Sequence, residues 1–286
     1  RYVFHKYDFG YPQQIVGCQS RPNANPCGWA MELKQEELKA FLDEKVHKYN
    51  HPSFIETDPI SVPHAFTVKQ DIEIAGFFAA TIAWGNRKSI LTNATKLMER
   101  MDYAPYDFII NHTKADLDVF NGFVHRTFQE TDVKYFAQRL QQIYKEFESL
   151  EKVFIPNENA VHMHDVLVDF HKLFFAIPHP KRTVKHVANP AKKSAAKRMH
   201  MFLRWMVRND TAGVDFGIWE NISPRFLSCP LDVHSGNVAR ALGLLKRKQN
   251  DLAAVQELDV ILRILDPNDP VKYDFALFGL GVFEGF

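Results

Sequence analysis

The sequence predicts an all-α fold of about ten helices arranged in two lobes. Two observations support this fold class. Apolar residues recur at helical spacing through most of the 286 residues, and no stretch of useful length alternates as a half-buried strand does. The chain also lacks internal repeats and low-complexity linkers, so we expect a globular helical bundle rather than a solenoid.

Each predicted helix rests on its apolar pattern. The segment 132–150 is amphipathic through Phe136, Leu140, Ile143 and Phe147, whereas 68–84 is apolar all round and is therefore expected to be a buried central helix. In chain order the predicted helices are Glu32–Tyr49, Val68–Trp84, Lys88–Met101, Ala104–Asn111, Asp132–Leu150, His164–Phe175, Ser194–Val207, Ser235–Leu244, Leu252–Leu265 and Tyr273–Leu280.

Residues 1–30 differ in composition from the rest of the chain. They are rich in Gly, Pro, Asn and Gln, hold two of the three cysteines, and show no periodic apolar pattern. We interpret 1–30 as a disordered tail or a non-native extension, with Met31 as the native start. The predicted helical domain is then 31–286.

Composition narrows the class of protein. Hydrophobic content of 46% and charged content of 24% are typical of globular domains, and no apolar run approaches the roughly 20 residues that cross a bilayer. Cys18, Cys27 and Cys229 form neither a disulfide framework nor a C-x-x-C pair, and Cys229 is expected in the core. We therefore expect a cytoplasmic monomer with no membrane partner, no cofactor and no metal.

One histidine-rich segment offers a competing metal site. His162, His164, Asp165 and His171 are residue types that bind transition metals. However, the side chains of residues i and i+2 do not share a helix face, and the segment is predicted helical from His164. The spacing therefore argues against this site.

Positive charge is concentrated between Phe170 and Asn209. This stretch holds ten Lys or Arg and no Asp or Glu, which leaves 25 basic (35 minus 10) against 34 acidic residues elsewhere. Such asymmetry indicates a polyanion partner, although a solvated basic helix would show the same charge. The five basic residues that fall on one stripe of the helix at 194–207 and its end are Lys193, Lys197, His200, Arg204 and Arg208.

The start of this basic helix resembles a phosphate-binding element. A turn at 187–193 leads to Ser194, a plausible N-cap, and such a turn presents free backbone N–H groups that suit a phosphate oxygen. The partner favoured by this pattern is nucleic acid, in particular duplex DNA. The residues predicted to contact it are Lys192, Lys193, Ser194, Arg198, Arg204, Arg208 and His234.

Asp232 follows Pro230 and precedes the helix predicted from Ser235. A carboxylate at that position caps a helix by accepting backbone N–H bonds, and capping alone would explain it. The residues around it add a second interpretation, because the sequence Pro230-Leu-Asp-Val-His234 is followed by Arg240 and then by Leu242-Gly-Leu244.

This pattern resembles the helix-hairpin-helix DNA glycosylase superfamily, which includes the endonuclease III-like and 8-oxoguanine glycosylases. Two further segments are similar: 77–87, an apolar helix followed by a polar turn, and 266–281, where those enzymes have their last core helix. The chain departs from them in having no glycine at 187–194 and no four-cysteine cluster loop. It is also similar to an uncharacterised bacterial family of unknown function that shares this ending and the helix at 202–208.

The resemblance implies a DNA-repair N-glycosylase-like function on a flipped, damaged base, with possible lyase activity. It assigns Asp232 to stabilise the charge that develops at C1′. A lyase also needs an amine nucleophile, and the basic stripe offers Lys197 as the first candidate and Lys193 as the second, although simple phosphate contact would equally explain these lysines. Trp84, Trp205 and Trp219 are candidates for the base pocket, although tryptophans in such positions are more often part of the core. The alternative function is a non-catalytic DNA- or RNA-binding helical protein.

Overall fold

The computed structural model describes residues 35–158 and 160–286. Within these ranges the chain forms eleven α-helices, several short 3-10 helices and one small β-hairpin. The predicted all-α fold is confirmed. The predicted tail at 1–30, with Cys18 and Cys27, lies outside the described residues.

The predicted long helices occur with shifts of a few residues at their ends. The α-helices are α1 Gln35–Tyr49, α2 Lys69–Thr81, α3 Arg87–Glu99, α4 Pro105–Asn111, α5 Glu130–Phe147, α6 Glu151–Phe154, α7 Met163–Phe174, α8 Lys197–Val207, α9 Val233–Ala241, α10 Leu252–Leu265 and α11 Tyr273–Gly279. The strands β1 Val124–His125 and β2 Phe128–Gln129 pair antiparallel. Neither α6 nor the hairpin was predicted, because segments this short carry no readable period.

Two apolar clusters form the core. The larger is built by residues of α2 to α8, and the smaller by α1, α9, α10 and α11. Both clusters lie within one compact unit, so the two-lobe arrangement expected from the sequence stays a prediction. We call the helices around each cluster a lobe. The helices α8, α9 and α11 meet along the seam between the clusters, and α11 contributes buried residues to both.

The helix α2 is the buried central helix that its composition predicts, because every residue from Ile72 to Thr81 is buried. It packs against α8 at Gly76, where an added Cβ would lie 3.0 Å from Met206 Cε. Although α2 is strongly apolar, no helix in the described ranges is long and apolar enough to cross a membrane.

A buried carboxylate on α2 ties three elements of the larger lobe together. Glu73 is fully buried and accepts hydrogen bonds from Tyr144 Oη at 2.8 Å, Ser149 Oγ at 2.6 Å and Leu150 N at 3.1 Å. Trp219 Nε1 donates a fourth at 2.7 Å. Since buried charges require such partners, these bonds explain how an acid is tolerated in the core.

We expect Glu73→Gln to lower the free energy of unfolding by about 2–4 kcal/mol, because the new NH₂ group faces donors and leaves buried partners unsatisfied. Urea denaturation measures this loss. Glu146→Gln, at an exposed position of α5, is the matched control and should stay within about 0.5 kcal/mol of wild type. Equal stability of the two variants would contradict this account of Glu73.

Candidate active site at the seam of the lobes

A cavity of about 230 Å³ opens where the two lobes meet. Its volume is below the roughly 300 Å³ at which pockets for drug-sized ligands begin, so it suits a single ring system better than a large cofactor. The residues that line it are Phe54, Asp58, Pro59, Ala83, Trp84, Gly85, Arg87, Ile90, Lys197, Met201, Arg204, Asp232, Asp274 and Phe278.

Lys197 and Asp232 meet at this cavity. Lys197 Nζ lies 3.6 Å from Asp232 Oδ2, although the residues are 35 positions apart (232 minus 197). Both side chains remain partly accessible, at 29% for Lys197 and 23% for Asp232. An amine and a carboxylate are therefore both available to a ligand in the cavity.

Asp232 is held by its own helix and by a neighbouring loop. It is the N-cap of α9, where Oδ1 accepts from Ser235 N at 3.0 Å while Oδ2 is the atom that faces Lys197. Asn250 Nδ2 donates to the Asp232 carbonyl at 2.7 Å, and Asn250 itself is bound by Arg240. Asp232 thus caps α9 with Oδ1, and its Oδ2 is directed to Lys197 at the cavity.

Lys197 is the first residue of α8, three residues later than the helix start predicted at Ser194. The residue before it, Ala196, has φ +46°, a left-handed conformation that excludes it from the helix. Ser194 instead pairs with Asp251 through an isolated bridge, and its Oγ accepts from Ala196 N. The predicted capping role of Ser194 is therefore wrong.

The floor of the cavity is acidic and buried. Arg204 pairs with Asp274, which lies on α11, and with Asp215 at 3.2 Å from its Nε. Burial raises the pKa of Asp274 to about 6, against the attraction of the Arg204 guanidinium. Asp58, also on the lining, has its pKa raised by burial. The cavity thus holds a carboxyl group able to exchange a proton near neutral pH.

Arg204 and Arg208 do not form the exposed basic stripe expected from the sequence. Their side chains are each 4% exposed, and Arg208 pairs with Asp269 at 2.9 Å, Asp215 at 3.2 Å and Asp210. His200 is also buried, and burial lowers its pKa to about 3. This corrects the assignment of Arg204 and Arg208 as nucleic-acid contacts. The helix period shows which residues share a face of α8, but it does not show which face is exposed to solvent.

Of the three candidate tryptophans, Trp84 lines the cavity and is partly exposed. Trp205 and Trp219 are 0% and 1% exposed and belong to the apolar core, which corrects their assignment to the base pocket. The Arg198 guanidinium lies over the Trp84 ring at 4.7 Å from its centroid and donates to the carbonyls of Thr81 and His186. Arg198 is thereby fixed against Trp84, although it is not itself among the residues that line the cavity.

The turn before α8 uses its own backbone donors. Ala191 N donates to Asn189 Oδ1 at 2.9 Å. Lys192 N donates to Asn189 O at 3.0 Å, and Lys193 N donates to Pro190 O at 2.8 Å. The expectation that this turn presents free N–H groups to a phosphate is therefore wrong for these three residues. The side chains of Lys192 and Lys193 are exposed, as is His234 on α9, and none of the three lines the seam cavity.

Sequence reasoning missed three charged residues of the lining: Asp58, Arg87 and Asp274. A signal for Asp274 exists, since it is the one acid in the otherwise apolar stretch of α11. Asp58 precedes Pro59 and caps a 3-10 helix, and Arg87 opens α3, so both look like ordinary helix-start residues in the sequence.

The histidines of the competing metal site do not converge. His162 and His164 stack with ring centroids 5.0 Å apart, whereas His171 Nδ1 lies 3.4 Å from Asn189 Nδ2. Within the described ranges, no group of three or more His, Cys, Asp or Glu is arranged to hold a metal ion. Cys229 is fully buried, as predicted, and burial raises the pKa of its thiol.

Fold and site together define an all-α protein with a lysine–aspartate pair in a cavity between two lobes. The chain belongs to a family described as "Protein of unknown function (DUF2400)", whose match covers residues 58–283. No curated protein and no solved structure matches the chain. The expected kinship with an uncharacterised family is thus shown, whereas the resemblance to the helix-hairpin-helix glycosylases stays a prediction.

We expect Arg204→Met to lower the free energy of unfolding by about 3–5 kcal/mol, because it leaves Asp215 and Asp274 buried without their cation. Chemical denaturation measures the loss. Arg225→Met removes an exposed arginine and serves as the control, with little expected change. An Arg204→Met protein that is as stable as wild type but binds DNA more weakly would contradict the buried role and support the predicted contact of Arg204 with nucleic acid.

Proposed function

We propose that this protein is a DNA-repair N-glycosylase-like enzyme that acts on a flipped, damaged base, with Lys197 as amine nucleophile and Asp232 as the carboxylate beside it. The observation that carries the proposal is the 3.6 Å approach of Lys197 Nζ to Asp232 Oδ2 in a cavity walled by Trp84. The resemblance around Asp232 supplies the reaction class.

The cavity supports this proposal through its size and its lining. Enzymes that act on a base take it out of the stack and hold it between aromatic and polar groups. Here the aromatic groups are Trp84, Phe54 and Phe278, and the polar groups are the carboxyls and cations of the floor. The exposed lysines beside α8 supply positive charge for the phosphate backbone.

The proposed chemistry balances with these groups. The attack requires Lys197 in its unprotonated form; this amine forms a bond to C1′ as the bond from C1′ to the base nitrogen breaks with its electron pair. The base leaves with one proton, and the amine loses one. Asp232 stabilises the positive charge that develops on the sugar, and Asp274 is placed in the same cavity to exchange the proton.

The alternative is a non-catalytic nucleic-acid-binding protein on the same scaffold. It is favoured by the exposed lysines of the segment 181–193, which would bind a polyanion whether or not chemistry follows. In that case the Lys197–Asp232 pair is a structural link between α8 and the start of α9. The two functions differ in whether a covalent intermediate forms.

Borohydride trapping on duplexes that carry an abasic site or an oxidised base tests the proposal. The amine condenses with the sugar aldehyde, water leaves, and hydride reduces the resulting imine to a stable secondary amine. We expect wild type to form this adduct and Lys197→Ala to reduce it to background. Lys193→Ala, which changes a nearby exposed lysine outside the cavity, should retain it.

The carboxylate is tested by the rate of base release under single turnover. We expect Asp232→Asn to slow it by about 10²–10³-fold, because a preorganised charge is lost. Asp251→Asn is the matched control, since Asp251 caps α10 in the same manner and lies outside the cavity. The absence of any adduct or base release from wild type across these duplexes would exclude the enzyme and leave the binding protein.

A further inference from the structure

A second cavity, of about 520 Å³, is lined by basic side chains. Four cations line it, namely Lys181, Lys185, Lys192 and Arg198, together with His171 and Asn189, and no acid is among the lining residues. The lining comes from α7, from the 3-10 helix Lys181–His186, from the segment 187–194 and from the first turn of α8.

The three lysines of this cavity are available to a ligand. Lys181, Lys185 and Lys192 are exposed, and in the described part of the chain none of them takes part in an ion pair or a side-chain hydrogen bond. By contrast, Lys134, Lys152 and Lys172 are each paired with a carboxylate within 3.0 Å. Positive charge is thus gathered in the basic cavity without compensation.

The pKa of His171 is affected by the positive charge around the basic cavity. Burial lowers the pKa of His171, and the neighbouring charges of Lys192 and His179 lower it further. Both effects oppose protonation of the imidazole, whose Nδ1 lies 3.4 Å from Asn189 Nδ2. The unpaired lysine ammonium groups around this cavity repel one another. A bound anion would reduce that repulsion.

The basic cavity lies close to the seam cavity, because neighbouring residues line the two. Lys197 lines the seam cavity and the next residue, Arg198, lines the basic cavity, while the Arg198 guanidinium stacks on Trp84 of the seam cavity. A nucleic acid held by the lysines would therefore have its backbone near the cavity that contains Lys197. The turn at 191–193 has its own N–H groups satisfied, so contacts here must come from side chains.

We propose that the basic cavity binds backbone phosphodiesters of nucleic acid through Lys181, Lys185 and Lys192, next to the seam cavity. This site rests on the nucleic-acid partner of the proposed function but not on the chemistry of Lys197. It assigns the phosphate contact to side chains of the 3-10 helix 181–186 and to that of Lys192, and not to the backbone of a hairpin.

The test compares wild type with the triple variant Lys181→Gln, Lys185→Gln, Lys192→Gln in binding to unmodified duplex DNA over a range of salt concentrations. Each phosphate contact contributes about 0.9 to the slope of log K against log salt, so the slope should become shallower by about 2 to 3. At about 0.1 M salt we expect affinity to fall at least tenfold.

The matched control is the triple variant Lys96→Gln, Lys114→Gln, Lys145→Gln. These lysines are exposed and lie outside both cavities. Their substitution removes the same total charge as the substitutions in the basic cavity. The control should keep a slope close to that of wild type. Equal slopes for the two triple variants would overturn the site.

The source of the phosphate is decided by titrating inorganic phosphate and following the His171 imidazole resonance by NMR. If phosphate shifts this resonance in wild type but not in the cavity variant, while duplex binding is the same in both, the cavity takes a small free anion and the backbone assignment fails. The two proposals are separated by measuring trapping with wild type and the slopes with the two triple variants. Absence of trapping by wild type together with the expected slopes would contradict only the enzyme, whereas equal slopes for the two triple variants together with intact trapping would contradict only this site.

Discussion

The buried Arg204 guanidinium, held between Asp215 and Asp274, is the interaction on which the arrangement of the seam depends. It joins α8 to α11, and α11 packs against α9, whose first turn carries Asp232. Lys197 lies seven residues before Arg204 on the same helix, so it faces the same cavity about two turns away. The Lys197–Asp232 distance is therefore set by a network deeper in the protein.

This network divides the positive charges of the basic segment into two groups with different roles. Arg204 and Arg208 are enclosed by carboxylates and hold the lobes together. Lys181, Lys185 and Lys192 have no such partners and surround a cavity beside the seam. Arg198 lines the basic cavity and stacks on Trp84, which lines the seam cavity.

Much of the fold was predictable because long amphipathic helices carry their period in the sequence; α10 was predicted at its observed bounds. Lys197 and Asp232 were each proposed from the sequence, Lys197 from its place on the basic stripe and Asp232 from the motif around it. Periodicity could not show which face of α8 is buried, and so Arg204, Arg208 and His200 were assigned to solvent. Their partners, such as Asp269 and Asp274, come from distant segments that carry no pattern linking them to α8.

The most direct test of the account is to identify the lysine that becomes attached to an abasic-site duplex. After borohydride reduction, nuclease treatment and trypsin digestion, mass spectrometry locates the modified residue. Because trypsin does not cleave after a modified lysine, we predict the adduct on the peptide 194–198, which contains Lys197 and ends at Arg198. An adduct on the peptide 193–197, which would place it on Lys193, or on any other lysine, would contradict the account.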